Sequence, residues 1–546
     1  MTKFSVSGNI VDILHKTIFP GTVFIDEGRI ISIAHEEGKS YNQYILPGFI
    51  DAHIHIESSM LIPSEFARLA SVHGTVASVC DPHEIANVLG LTGVRFMLKN
   101  ATQTPFKITF GAPSCVPATP FETAGAELVA SDISELFELD GISYLSEMMN
   151  VPGVLTSNPL VMEKIHIARQ MGHPVDGHAP GLFGKEAKQY IAAGISTDHE
   201  CVTLREALDK LAVGMKIIIR EGSAAKNFDA LHSLIDFHTD QCMFCSDDKH
   251  PDDLVKGHIN HLVKRAVALG HDVMKVLQVA CVNPIWHYGL DVALLREGDS
   301  ADFIVVNNLR DFKVQRTYCQ GILAAEAGKS ILQSVPVFPL NYFLTGEKKI
   351  ADFDLPACGS MVRVIEAIDG QLITIERHEI AHIVNGKITS DIEHDTLKIA
   401  VVNRYADVPP AVALVKNFGL KRGAIASSVA HDSHNIIAVG TTDSELCTAV
   451  NAVIRAKGGL AVVEGNHIEM LPLPIAGLMS MNDGYNVAQQ YSRLDTYAKY
   501  LGSKLSAPFM TLSFMALLVI PDLKISDKGL FSAKIFNFVP LCLNTA

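Results

Sequence analysis

The chain has 546 residues, 48% hydrophobic and 19% charged, with 39 Gly and 24 Pro. At roughly 150 residues per domain that is more than one ordinary unit, and the composition excludes a disordered, collagen-like or coiled-coil chain. With 45 Lys and Arg against 59 Asp and Glu the formal charge is −14, which lacks the basic footprint of a general nucleic-acid binder.

Taken in chain order, the first residues (MTKFSVSGNIVDIL) lack a basic segment followed by an apolar one, so no secretory signal is expected. Residues 4–35 read as short strands, with Asp26-Glu27-Gly28 as a hairpin turn. From Tyr44 short β-branched runs alternate with helical stretches, the pattern of βα units. The runs are 45–55, 74–82, 107–116, 141–150, 173–180, 194–200, 215–223 and 242–248. Pro63-Ser64 opens a helix through Phe66, Leu69 and Ala70. Asn158-Pro159 opens another, with Val161, Ile165 and Ala168 on one face. Thr203 to Ala212 and Leu254 to Leu269 are read as helices too. Eight such units in about 230 residues match a (β/α)8 barrel.

The β character returns at Leu295 to Val306, a turn feeding a buried strand that can join the N-terminal strands. From about 355 strands (372–381, 397–405, 435–442), a Gly458-Gly459 turn and a helix at 445–458 read as α+β. The expected division is a composite β-sandwich from 1–44 and 295–350, a catalytic barrel at 45–294 and a C-terminal domain at 351–546. The longest apolar run, Met510 to Ile520, is too short to span a bilayer and is expected in a core. The ten cysteines are scattered and form no disulfide framework, so a reducing cytoplasm is the simplest compartment. Cys242 and Cys245 form one CxxC, expected to be structural thiols in a buried strand.

The 23 histidines are the unusual entry in the composition. In a parallel barrel the functional face lies at the C-terminal strand ends. Strand one ends in His53-x-His55, whose side chains share a side because strand residues two apart do so. Strand four ends in Glu147, strand five in His178, strand six in His199 and strand eight in Asp247-Asp248. A lone histidine in an apolar strand is usually a satisfied core residue; ligand-type residues at five of eight ends are not. Imidazole and carboxylate suit Zn, Fe(II) or Mn(II). Two ions sharing Glu147 account for the set: His53, His55, Glu147 and Asp247 on one, and Glu147, His178 and His199 on the other. Water so bound would lose a proton near neutral pH and become a nucleophile.

These residues resemble a known family. PGFIDAHIHIESSM (47–60) and LREGDSADFIVV (295–306) resemble the amidohydrolase superfamily. DPHEIANVLG (81–90), SEMMNVPGV (146–154), DGHAPG (176–181), DHE (198–200), SDDKHPDDL (246–254) and AHDSHNIIAVG (430–440) resemble the bacterial adenine deaminases, from about residue 5 to the C-terminus. Glu147 stands where hydantoinases and dihydroorotases place a bridging lysine. The resemblance implies hydrolysis of adenine to hypoxanthine and ammonia with two Mn(II) or Fe(II) ions. An activated water would attack C6, and a carboxylate must carry its proton to N1 or the leaving amine.

Asp247 is the first candidate for that shuttle, and Asp248 for a hydrogen bond from N7–H or the exocyclic amine. His83 and Glu84 follow strand two, where Pro82 stops it, and are candidates for proton transfer or substrate contact. Glu57, Ser58 and Ser59 are read as supports of the ligands or as a helix-capping loop. Glu200 and Ser223 are candidate substrate contacts, with Arg220 and Glu221 beside them. In the C-terminal AHDSHN, His431 and His434 flank Asp432; the turn alone reads as surface, and the resemblance sets it over the barrel mouth, with His434 toward substrate. The rival readings are a guanine deaminase, imidazolonepropionase or N-acetylglucosamine-6-phosphate deacetylase of the same superfamily, or an inactive barrel used as a scaffold. A homo-oligomer is expected, with no membrane or nucleic-acid partner.

Overall fold

A computed structural model describes residues 3–543. The N-terminal segment forms β1 (Phe4–Asp12), β2 (Thr17–Asp26), β3 (Arg29–His35) and β4 (Tyr44–Pro47). β2 and β3 meet across Glu27 and Gly28, both at positive φ, which is the two-residue hairpin expected there.

The run read as one strand over 45–55 is two. Gly48 separates β4 from β5 (Phe49–Ile54). A Cβ on Gly48 would lie 2.3 Å from the Val76 side chain, so only glycine allows the chain to pass between sheets here. β5 begins a parallel series with β6 (Thr75–Cys80), β7 (Lys107–Ala112), β8 (Ile142–Met148) and β9 (Val175–Gly177). A second parallel sheet holds β10 (Thr197–Asp198), β11 (Lys216–Arg220) and β12 (Cys242–Cys245). Hydrogen bonds link the two at both ends. Ser196 N–H donates to the Val175 carbonyl at 2.9 Å, and Asp247 N–H donates to that of His53 at 3.0 Å. Ala52, Val79, Tyr144, Ile218, Met243 and Cys245 pack together inside, while Ile217 and Ile219 face the surrounding helices.

The helices fall at Pro63–Ala70, Pro159–Gln170 and Leu204–Leu211, as read from the sequence. The single helix expected over 254–269 is broken into Pro251–Lys256 and Ile259–Ala268. Gly257 and His258 leave helical geometry there, and the His258 ring reaches inward to Asp51 at 2.8 Å.

β13 (Phe303–Val306), β14 (Val314–Cys319), β15 (Ile322–Glu326) and β16 (Lys329–Ser330) rejoin the N-terminal strands. One eight-stranded sheet results, with β13 pairing β4. Val6, Val23, Ile45, Phe303 and Val305 share its core.

The C-terminal third is built on a second eight-stranded sheet, centred on Thr396–Val402, Ile436–Gly440 and Ala424–Ser427. Alternation explains its continuous apolar strands. Ala400 and Val402 face helix Asp443–Ala456, whereas Ile399 and Val401 join the large core shared with the barrel. Helix Pro508–Phe514 is wholly buried, which accounts for the apolar run there. No helix among the described residues is long and apolar enough to cross a membrane.

The cysteine reading needs one correction. Eight cysteines are free and buried, including Cys242 and Cys245 in β12, but Cys358 and Cys542 are joined. The segment around Cys542 bridges to Val362, which brings residues 184 apart in sequence together.

Candidate metal centre

The strand ends converge as the sequence spacing requires. His53 and His55 bring their Nε2 atoms to 3.2 Å of each other. Asp247 Oδ1 lies 3.3 Å from His55 Nε2 and 3.6 Å from His53 Nε2. Glu147 stands between two groups of imidazoles. Its Oε1 is 3.4 Å from His55 Nε2 and 3.6 Å from His83 Nδ1. Its Oε2 is 2.9 Å from His178 Nδ1 and 3.1 Å from His199 Nε2. All seven residues are buried.

This donor set fits divalent ions. Neutral imidazole and carboxylate are the ligands such ions take, and a carboxylate with one oxygen toward each set is suited to bridging two. Within each of several groups the candidate ligand atoms lie within 4.8 Å of one another, among them His53-His55-Asp247, His53-Glu147-His199 and His178-His199-Glu200. His53 Nδ1 and His178 Nε2 are buried without a hydrogen-bond partner. Crowding of charge sets the protonation. Burial alone would raise Glu147, but His178 and His199 hold it well below the ordinary carboxylate range. Asp247 is held down against burial by Arg220 and then by His53 and His55. Burial pulls His178 down, but Glu200 and Glu147 outweigh it and push the ring up to about 9.

Supports surround the ligands. Arg220 Nη1 donates to Asp247 Oδ2 at 2.7 Å and also binds Glu200, so the end of β11 orients two carboxylates. His55 Nδ1 meets the Asp81 carbonyl at 3.2 Å, and Asp81 Oδ2 lies 3.1 Å from His83 Nδ1. Ser58 donates to Asp248 at 2.5 Å, and Glu57 accepts the Ile85 N–H at 3.2 Å, so both support the site. Asp248 is pushed up by burial and by the charge of Asp247.

The cavity above the ligands is lined by His83, Glu84, Glu200 and Asp248, as the sequence suggested, and by His431 and Asp432. Leu372, Phe514 and Leu517 of the C-terminal third roof it, with Met149 beside them. His431 Nδ1 and His434 Nε2 both bind Glu84, and the His431 ring stacks on Phe514 at 5.1 Å. Glu84 is held well below its usual range, with His431 and His434 overcoming burial, and His431 is pushed up to about 9 mainly by Glu84 against burial.

Two expected substrate contacts lie outside the cavity lining. Ser223 does not line the cavity: its hydroxyl donates to Asp253 at 2.7 Å and accepts the His250 N–H at 2.9 Å. His434 is buried behind Glu84 and does not line the cavity either; His431 faces it instead. Asp81 and Asp432 carried no role in the sequence reading, although each stands within two residues of a named histidine. The apolar roof has no local signature.

Comparison with known proteins agrees with this geometry. Residues 44–323 match the amidohydrolase family and residues 371–537 match the adenine deaminase C-terminal domain. The chain is 56% identical to an adenine deaminase of Sulfurovum sp. (strain NBC37-1), covering 98% of this chain and 99% of that one. It is 54% identical to the adenine deaminase of Salinibacter ruber (98% of each chain) and 49% identical to that of Methanosarcina mazei (98% of each). With a barrel of the amidohydrolase type, its candidate ligand residues gathered at one mouth and the matching C-terminal domain over them, the chain belongs to the adenine deaminase family.

Proposed function

We propose that the protein hydrolyses adenine to hypoxanthine and ammonia at this centre, in a closed (β/α)8 barrel flanked by a composite β-sandwich and an α+β C-terminal domain. The observation that carries the reading is Glu147, whose two oxygens face separate sets of imidazoles beneath a roof from the C-terminal domain. His53, His55, Glu147, His178, His199 and Asp247 would hold two ions, Mn2+ or Fe2+, which supply activation of water near neutral pH.

Asp247 is the proton carrier. Arg220 pins its Oδ2 at 2.7 Å and leaves Oδ1 facing His53 and His55, so the carboxylate has one fixed orientation. It takes the proton of the attacking water and delivers it to N1 or the departing amine of the ring. Asp248, with Ser58 on Oδ1, accepts from N7–H or the exocyclic amine through its other oxygen. Glu84 keeps His431 protonated, so that His431 offers an N–H to the cavity; His83 and Glu200 complete the polar wall. Leu372, Phe514 and Leu517 cover the flat face of the base and exclude water.

The cavity is small, about 20 Å³, which favours a bare purine over a nucleoside carrying a ribose at N9. An ammonia-release assay over purines and nucleosides, after reconstitution with Mn(II) and then Fe(II), tests the reading. Turnover of adenine with little of adenosine is expected; robust adenosine turnover, or none of adenine, overturns it. A cytoplasmic location and a homo-oligomer belong to the same proposal. The eight free thiols support the first, against the single Cys358–Cys542 bond. Ile380, 80% exposed, with Ile383 and Val384, offers an apolar edge for the second.

A further inference from the structure

We propose that a groove on the outer side of the metal-centre loops binds a phosphate-class anion. It lies between the turn after β11, the segment after β12 and helix Ile259–Ala268, and its volume is about 450 Å³. The lining is cationic in an otherwise acidic chain: Lys226, Lys249, Lys256, Lys264 and Arg265 against Glu221 and Asp253.

The two carboxylates are already engaged. Glu221 pairs with Arg265 at 2.9 Å and Lys226 at 3.7 Å, and Asp253 with Lys256 at 2.9 Å. Lys249 is left over. It is 8% exposed, makes no ion pair among the described residues, and reaches only the Glu221 carbonyl at 3.5 Å. That is too long for a good N–H···O bond, and a buried ammonium without a counter-charge is costly. An anion in the groove meets that charge. Lys264 stands exposed on the same lining and makes no ion pair among the described residues either.

The motif SDDKHPDDL thus divides its work. Asp247 and Asp248 line the metal cavity, whereas Lys249 lines the groove. The chemistry favours a compact multivalent oxyanion. Its free cations are ammonium groups, which act as point charges toward phosphate; Arg265, the one guanidinium, is committed to Glu221 and Asp229. Free orthophosphate and the phosphate of a nucleotide share that chemistry.

Calorimetric titration of the Mn(II)-reconstituted enzyme with orthophosphate tests the site, with adenosine 5′-monophosphate and adenosine in parallel. Saturable phosphate binding is expected, weakened about tenfold by Lys249→Met and by Lys264→Glu, each of which removes a charge-assisted contact. Lys264→Glu, away from the cavity, should keep wild-type adenine turnover. Tighter binding of the nucleotide than of orthophosphate identifies a nucleotide as the source; equal or weaker binding identifies free phosphate. No saturable binding up to about 10 mM, or affinity unchanged in both variants, overturns the proposal.

Discussion

At the scale of single residues the account rests on Glu147. Replacing it by Gln keeps the shape but removes the charge that two imidazole sets face. Glu147→Gln is expected to lose the paired ions and at least about a thousandfold in kcat, read by metal analysis and ammonia release. Wild-type turnover would mean that the bridge is misassigned. Protonation gives a second check. Without ions, His178 is pushed up to about 9 and holds a proton at neutral pH. A cation must displace that proton, so metal affinity should rise as pH climbs toward about 9, with proton release on binding. An affinity flat from about pH 6 to 9 would contradict this. The sign for stability is opposite. The raised His178 pKa stabilises the ion-free fold fully below its ordinary value of 6.5, and that contribution is lost as pH rises through about 9. Much of this site was legible because period-two spacing puts His53 and His55 on one side and strand ends collect the rest. Ser223 and His434 misled because side-chain direction in a turn does not follow from spacing.

At the scale of elements, the eight barrel strands were legible from β-branched runs between helical stretches. Their lengths were not: β9 and β10 have three and two residues where longer runs were expected. The chain leaves the sheet there to turn His178 and His199 toward Glu147. The roof was hidden for another reason. Leu372, Phe514 and Leu517 meet the barrel residues only through packing across hundreds of positions. Lys524 ties two pieces of that roof together, donating to the Leu372 carbonyl at 2.7 Å and the Phe514 carbonyl at 2.9 Å. Burial pushes this ammonium down to about 7. Lys524→Met leaves two buried carbonyls unpaired, at about 1–3 kcal/mol. We expect a lower Tm and a raised KM for adenine with metal content unchanged; unaltered Tm and KM would remove Lys524 from the roof's support.

At the scale of the molecule, four sheets meet around one candidate centre. The strands flanking the barrel join in one sheet, the barrel presents the candidate ligands, and the C-terminal sheet shares its core with the barrel and covers the mouth. Helix Gly484–Tyr500 is anchored to the barrel side, where Arg68 bridges Glu65 at 2.5 Å and Asp483 at 2.7 Å. The C-terminal third therefore lines the candidate cavity. The direct test of the central claim is ammonia release from adenine as Mn(II) is added stepwise to metal-free protein. Activity should climb to a plateau at about two ions per chain. A plateau at one ion, or a folded and fully metallated protein that releases no ammonia from adenine, would contradict the account.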